Sequence, residues 1–289
     1  MRPLKDLFLE EYWDIGYRFF KGGDSVISGE RKKFSVLKAD KRFWYADPFL
    51  FEKGGETYLF VEMFDNVTEL GVIGFSRFCD GKFTKPEIII KENFHLSYPL
   101  VFEENGKIFM MPETHEDKCV QLYEAVEFPY KWKKSRVILN EEDAVDTVIY
   151  KDKIIVSKVT KPVEMVTHLE IYDRNSGEKY SEFPATEDSQ LKRGAGSIFE
   201  ENGKIIRPAQ DCIDAVYGRG VILYEIKKLT ESDYEEEKIG EILPEIIIAD
   251  GSAIKGTHTY ARTGSLEVVD IKRRRFNLRR LLWIIKRKI

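Results

Sequence analysis

Four acids stand at repeated places in this chain of 289 residues, and their surroundings make them candidates for chemistry. Asp47 precedes Pro48 and opens the apolar run Phe49-Leu50-Phe51, and Asp146 opens a similar run at Thr147-Val148-Ile149-Tyr150. Glu62 and Glu113 each close one, Leu59-Phe60-Val61 and Phe109-Met110-Met111-Pro112. A carboxylate at the end of a buried strand costs desolvation unless it is hydrogen-bonded or put to use, so such acids are turn caps, strand anchors or reactive groups. Several of them converging on one cleft suit glycosyl chemistry. One takes the proton of an attacking hydroxyl or stabilises an oxocarbenium-like centre, and another protonates or steers the leaving group. They suit binding of a hydroxyl-rich ligand without reaction equally well.

On this reading Asp47, Glu113 and Asp146 are the candidate catalytic acids. Glu62, His95, Tyr98, Gln210 and His258 join them as candidate ligand contacts, and Trp44 offers an aromatic face. Arg193 and the segment Arg207-Pro208-Ala209-Gln210-Asp211 supply guanidinium groups for a phosphate or carboxylate, or a structural salt bridge to Asp211 or Glu113. The four histidines, His95, His115, His168 and His258, show no metal-ligand spacing, so no metal is expected. No phosphate-binding loop, dinucleotide fingerprint, serine-hydrolase elbow or zincin motif occurs, and no cofactor is expected.

The elements that must hold these residues are visible as a repeat. Phe-Glu-Glu-Asn-Gly-Lys-Ile occurs at 102–108 and again at 199–205. Extending the register aligns Asp47, Tyr98, Asp146 and Ala195 as starts of strand units 51, 48 and 49 residues apart, each with a polar or Gly-containing turn and a second strand. A period of about 50 residues built from short strands is one propeller blade. A fifth unit starts near 257 and lacks an outer strand, while residues 12–35 have no other blade to join, so the N-terminus is expected to complete the last blade and close the ring. The expected fold is therefore all-β, a five-bladed β-propeller over residues 1–271; a two-sheet sandwich is the alternative. In a propeller the first residues of each inner strand face the central funnel, which brings the candidate acids together.

The bulk composition agrees with one packed domain: 43% of residues are hydrophobic and 13% aromatic. Cys79, Cys119 and Cys212 suggest neither a disulfide framework nor a thiolate metal site. The start carries no signal-peptide pattern, and a cytoplasmic location is expected. The formal net charge is −4, yet residues 272–289 hold nine basic residues and no acid, leaving the rest strongly acidic and ill suited to nucleic acid. In that tail Leu278, Leu281, Leu282 and Ile285 fall on one face of a short amphipathic helix. Arg279 and Arg280 flank it, and Trp283 sits at headgroup depth. The expected partner is an anionic membrane surface at the inner face of the plasma membrane, with a docking protein such as another glycan-assembly enzyme as the alternative.

The motifs Trp44-Tyr45-Ala46-Asp47-Pro48-Phe49, His95-Leu96-Ser97-Tyr98-Pro99, Met111-Pro112-Glu113-Thr114, Phe128-Pro129-Tyr130-Lys131-Trp132 and Arg207-Pro208-Ala209-Gln210-Asp211-Cys212 resemble the N-terminal domain of plant glucosamine inositolphosphorylceramide transferase, over about residues 40 to 270. That resemblance implies a five-bladed propeller distantly similar to the furanosidase superfamily, including glycoside hydrolase families 43 and 32. It implies a catalytic role for Asp47-Pro48, which matches the first-blade Asp-Pro of those hydrolases. The second blade here starts with Tyr98-Pro99 where family 43 has another Asp-Pro, and the third starts with Asp146 where that family has its general-acid Glu. The leading expectation is a glycosyl-transferring enzyme of glycolipid or surface-polysaccharide assembly, with a sugar donor or glycan in the funnel. A non-catalytic glycan- or headgroup-binding module is the second, and a furanosidase-like hydrolase the third.

Overall fold

The computed structural model describes residues 9–140 and 144–276. They form five antiparallel sheets, one per blade. Inner-to-outer order is Phe43–Lys53, Glu56–Asp65 and Leu70–Cys79 in the first blade, the last of these also pairing with Lys82–Phe83 and Glu87–Ile90. The second blade is Ser97–Glu104, Lys107–Glu113, Val120–Glu127 and Lys131–Leu139. The third has three strands, Ala144–Tyr150, Lys153–Lys161 and Val166–Asp173. The fourth is Phe199–Glu201, Lys204–Asp211, Gly220–Leu229 and Tyr234–Ile242.

The fifth blade joins both ends of the chain. Tyr260–Thr263 and Leu266–Phe276 are its inner strands, Leu9–Phe19 and Lys32–Leu37 its outer ones, and Ile247–Ala249 adds a parallel edge. Leu9–Phe19 pairs with Leu266–Phe276 without a register shift, from Leu9 opposite Phe276 to Phe19 opposite Leu266. Ring closure of this kind leaves no inner edge strand exposed.

Alternating residues of the second and third strands pack blade against blade. Phe49, Phe60, Ile73, Tyr98, Met110, Leu122, Val148, Ile155 and Leu169 form one buried cluster running from the first blade to the third. Phe128, between the third and outer strands of the second blade, wedges its ring against Tyr58 (4.8 Å), Phe51 (5.7 Å), Phe60 and Trp132 and locks the first two blades together. No helix among the described residues is long and apolar enough to cross a membrane.

The structure moves one boundary. The last inner strand continues to Phe276, so Lys272, Arg273, Arg274 and Arg275 belong to the propeller. Their charges are answered across the pair by Glu11, Asp14, Glu11 and Glu10 respectively. The expected amphipathic helix and its residues Arg279, Arg280, Leu281, Leu282, Trp283 and Ile285 lie outside the described residues.

Candidate functional site

Three inner strands enter the funnel in the same way. Asp47, Tyr98 and Asp146 have φ of 48°, 49° and 44°, in the left-handed region that non-glycine residues avoid. Each sits in a bulge where the inner strand carries one residue more than its partner, between Ala46 and Phe49, Ser97 and Leu100, and Val145 and Val148. Backbone held in this conformation in three blades is stabilised by what surrounds it.

What surrounds it is a relay of hydrogen bonds from blade to blade. The Asp47 N–H donates to Asp270 Oδ2 of the fifth blade at 3.4 Å. The Tyr98 N–H donates to Asp47 Oδ2 at 3.2 Å, and the Asp146 N–H to Glu113 Oε2 at 3.0 Å. In the fourth blade the Gly194 N–H donates to Ser157 Oγ at 3.0 Å. The inner strands of the first four blades are thus registered by an acid or hydroxyl of the preceding blade, and that of the fifth by the Ala195 carbonyl, which accepts the Tyr260 N–H. Tyr98 adds a bond across the axis: its hydroxyl accepts the Gly196 N–H at 2.6 Å and donates to the Gly196 carbonyl at 3.2 Å. Gly196 is required there, since its φ is 130° and a Cβ would lie 2.0 Å from the Tyr260 carbonyl oxygen.

The funnel wall has two charged sectors. In one, Arg193 Nε pairs with Asp146 Oδ2, Gln210 Nε2 donates to the same oxygen at 3.0 Å, and Arg193 Nη2 lies 3.8 Å from Glu113 Oε2. Burial and the Asp146 charge push the Glu113 carboxyl up to about 8, with Arg193 opposing. In the other, Asp47 Oδ1 accepts the Thr259 hydroxyl at 2.7 Å and faces His258 Nε2 at 3.8 Å. Burial raises Asp47 to about 7; His258 opposes, while Glu62, Asp146 and Asp270 add to the rise.

His258 is clamped on every side. Its Nδ1 pairs with Asp270, Trp13 stacks on its ring at 4.2 Å and 16°, and Tyr217 meets it edge-on at 4.9 Å. Tyr217 also lies under Arg193, 5.6 Å away, and so links the two sectors. On the far side His95 accepts the Gly71 N–H on Nδ1 at 3.0 Å, leaving Nε2 to carry a proton 3.1 Å from Glu62 Oε1. That oxygen is buried and faces the His95 ring as its ion-pair partner.

Asp47, Glu62, His95, Tyr98, Glu113, Asp146, Arg193, Gln210 and His258 therefore share one funnel, with Trp44 at its rim stacked on Phe64 at 4.5 Å. Three expectations need correction. Arg207 points outward, where it forms a bidentate pair with Glu236 at 2.8 and 2.9 Å and donates to the Lys192 carbonyl. Asp211 serves its own hairpin, accepting the Ile213 N–H at 3.1 Å and pairing with Arg219. Gln210 is not the counterpart of Glu62 and Glu113. Ala209 is, because the fourth inner strand carries two extra residues between Gly194 and Phe199 instead of one.

Sequence reading missed Asp270, Thr259 and Trp13. The signal for Asp270 was a lone acid inside the β-branched run Val268-Val269-Asp270-Ile271. Asp47, His258 and Asp270 also bring ligand atoms within 4.8 Å of one another, the only such group among the described residues. It joins the first and fifth blades and so escapes any test of spacing. Each of the three is already engaged by protein partners.

The five-bladed ring shares its fold with solved glycoside-hydrolase propellers. A thermostable family-43 glycoside hydrolase superposes with a TM-score of 0.55 at 11% identity, covering 82% of this chain and 91% of that one. The family-32 β-fructofuranosidase of Bombyx mori gives 0.53 at 13%, covering 79% and 55%. The chain belongs to the family described as glucosamine inositolphosphorylceramide transferase 1, N-terminal, whose profile matches residues 35–273. The glucosamine inositolphosphorylceramide transferase 1 of Oryza sativa subsp. japonica is 34% identical over 203 residues, 66% of this chain and 27% of that protein. The chain thus spans about a quarter of the length of that relative.

Proposed function

We propose that this propeller transfers a glycosyl unit within its funnel, in the assembly of a glycolipid or surface polysaccharide at the cytoplasmic face of a membrane. The observation that carries the reading is the gathering of acids from adjacent blades: buried Asp47, held by the Thr259 hydroxyl and the Tyr98 N–H, and Glu113, which accepts the Asp146 N–H beside Arg193, with burial raising both carboxyls. Asp47, once ionised, takes the proton of the acceptor hydroxyl or attacks the anomeric centre, and protonated Glu113 delivers a proton to the leaving oxygen. Burial and the charge of Asp146, which is held by Arg193 and Gln210, both raise the Glu113 carboxyl and favour its protonated form. Tyr98 stands where a second first-strand acid would serve plain hydrolysis, and the His95–Glu62 pair supplies polar atoms to orient a sugar hydroxyl. Relatives named as glycosyl-transferring enzymes of an inositol-phosphate sphingolipid support a lipid-linked acceptor. The basic and apolar sequence of residues 277–289 supports a membrane location.

A second reading has its own support. Every acid in the relay accepts a hydrogen bond from the next blade, which is what a rigid, non-catalytic glycan-binding module also needs. The test is a thermal-shift and turnover screen of the full chain against nucleotide sugars, polyprenyl-phosphate sugars and free oligosaccharides. A ligand at 100 times its dissociation constant adds about 2.7 kcal/mol. Stabilisation and turnover by an activated donor, with turnover abolished by Asp47→Asn and affinity kept within a few-fold, is the expected result. Stabilisation by free glycans alone, indifferent to Asp47→Asn, makes the propeller a binding module.

A further inference from the structure

The two faces of the ring are finished differently. On the face away from the funnel mouth, the turns of the inner hairpins are polar or glycine-rich: Lys53-Gly54-Gly55, Asn105-Gly106, Lys151-Asp152, Asn202-Gly203 and Gly264. These are ordinary turn residues. On the funnel face the tips between second and third strands carry exposed aliphatic side chains in the first, third and fourth blades, while that of the second is charged, His115-Glu116-Asp117-Lys118. Val67 is 69% exposed in the first blade, Val163 90% in the third, and Ile213 and Val216 37% and 46% in the fourth. In the fifth blade the second strand ends on this face with Phe276, 64% exposed.

Single exposed apolar residues are common, and Phe19, Val126 and Tyr130 are exposed toward the other face. The funnel face differs in placing such residues at the apices of hairpins in three blades and at a strand end in a fourth, around the mouth of the candidate site. The chain that follows Phe276 starts from this same face. Its thirteen residues, 277–289, contain Arg279, Arg280, Lys286, Arg287 and Lys288, no acid, and seven large apolar residues. Protruding aliphatic tips, in a chain whose sequence runs on after Phe276 into a basic and apolar segment, match a surface that is anionic outside and apolar a few ångströms below, which is the interface of a lipid bilayer.

We infer that the funnel face is a lipid-docking surface. The tips bearing Val67, Val163, Ile213 and Val216, together with Phe276, enter the headgroup and upper acyl region of an anionic bilayer, so the funnel mouth opens onto lipid headgroups. The inference rests on the reading of a membrane-borne acceptor, and its test uses no turnover. Cys79 is the exposed native cysteine among the three, so the full chain carrying Cys79→Ser takes one added cysteine at a time, Val67→Cys, Val163→Cys or Val126→Cys. Each is labelled with an environment-sensitive fluorophore and mixed with phosphatidylcholine vesicles containing phosphatidylserine.

The expected result is a blue-shifted emission at positions 67 and 163 on vesicle addition and none at 126. Val67→Glu with Val163→Glu should weaken vesicle binding several-fold while leaving the thermal midpoint unchanged. Flotation without a shift at 67 and 163, a shift at 126, or no vesicle binding overturns the inference. So does a label at 163 already blue-shifted without lipid, which means that the chain itself or a second copy covers this face. Docking without turnover leaves the inference standing and removes the enzyme reading; turnover on soluble acceptors without docking does the reverse.

Discussion

Trp13 lies flat on His258, with ring centroids 4.2 Å apart and 16° between planes, so the third strand of the fifth blade, drawn from the N-terminus, builds a wall of the funnel. Both residues are buried. Trp13→Ala removes that wall and leaves a cavity beside a charged ring; a loss of about 3–5 kcal/mol in denaturant titration is expected. Trp13→Phe keeps a stacked ring and should restore most of it together with ligand binding.

Asp270 holds His258 through Nδ1 and its backbone N–H, and also accepts the N–H groups of Thr259 and Asp47. Burial works against a charge on His258, but Asp270 and Asp47 more than offset it, so the His258 pKa is raised. A raised histidine contributes stability that is fully present below its unfolded pKa and is lost as pH rises through its folded one. Asp270→Asn should lower the His258 pKa in an NMR titration and cost about 3–5 kcal/mol, the usual penalty for breaking a buried pair.

Glu113 gives the opposite experiment. Its carboxyl is raised to about 8, so between the unfolded carboxylate range near 4.5 and pH 8 the folded protein binds the extra proton and loses stability as pH rises. The slope for one such group is about 1.4 kcal/mol per pH unit. Glu113→Gln removes it, so the stability difference should move in favour of the variant from pH 5 to pH 8. A flat difference across that window means Glu113 is ionised throughout. The same variant should lose the basic limb of any pH–rate profile.

Arg207 and Glu236 form a buried pair between the second and outer strands of the fourth blade. Burial opposes the charge on Glu236, but Arg207 and Lys192 draw its carboxyl down to about 2. Arg207→Ala leaves that buried carboxylate with Lys192 and the Tyr234 hydroxyl alone and should cost about 3 kcal/mol, whereas Arg207→Met with Glu236→Leu should recover most of the loss. Funnel ligands should bind the double variant within two-fold of wild type. A large loss of affinity would return Arg207 to the site.

Much of this architecture can be read from the chain because propeller blades repeat. The identical segments at 102–108 and 199–205 fix a register, and that register places Asp47, Tyr98 and Asp146 on the axis. The places where reading failed are those where the repeat is broken or crossed. Two extra residues ahead of Phe199 shift Gln210 by one position from the counterpart of Glu62. Asp270 and Trp13 act on His258 from the fifth blade, where half the sheet comes from the other end of the chain and no periodicity links the two ends. Arg207 lies in a motif with funnel residues, yet strand alternation turns it to the opposite side of the sheet from Gln210.

The pairing of Leu9–Phe19 with Leu266–Phe276 also sets a timetable. These are contacts of very high sequence separation, the slowest kind to form. Trp13 waits for a partner strand made some 250 residues later. His258, Asp270 and the clamp they need exist only when that late strand arrives. Until that strand pairs, the funnel lacks the wall that Trp13 supplies, so the assembled site depends on a finished ring.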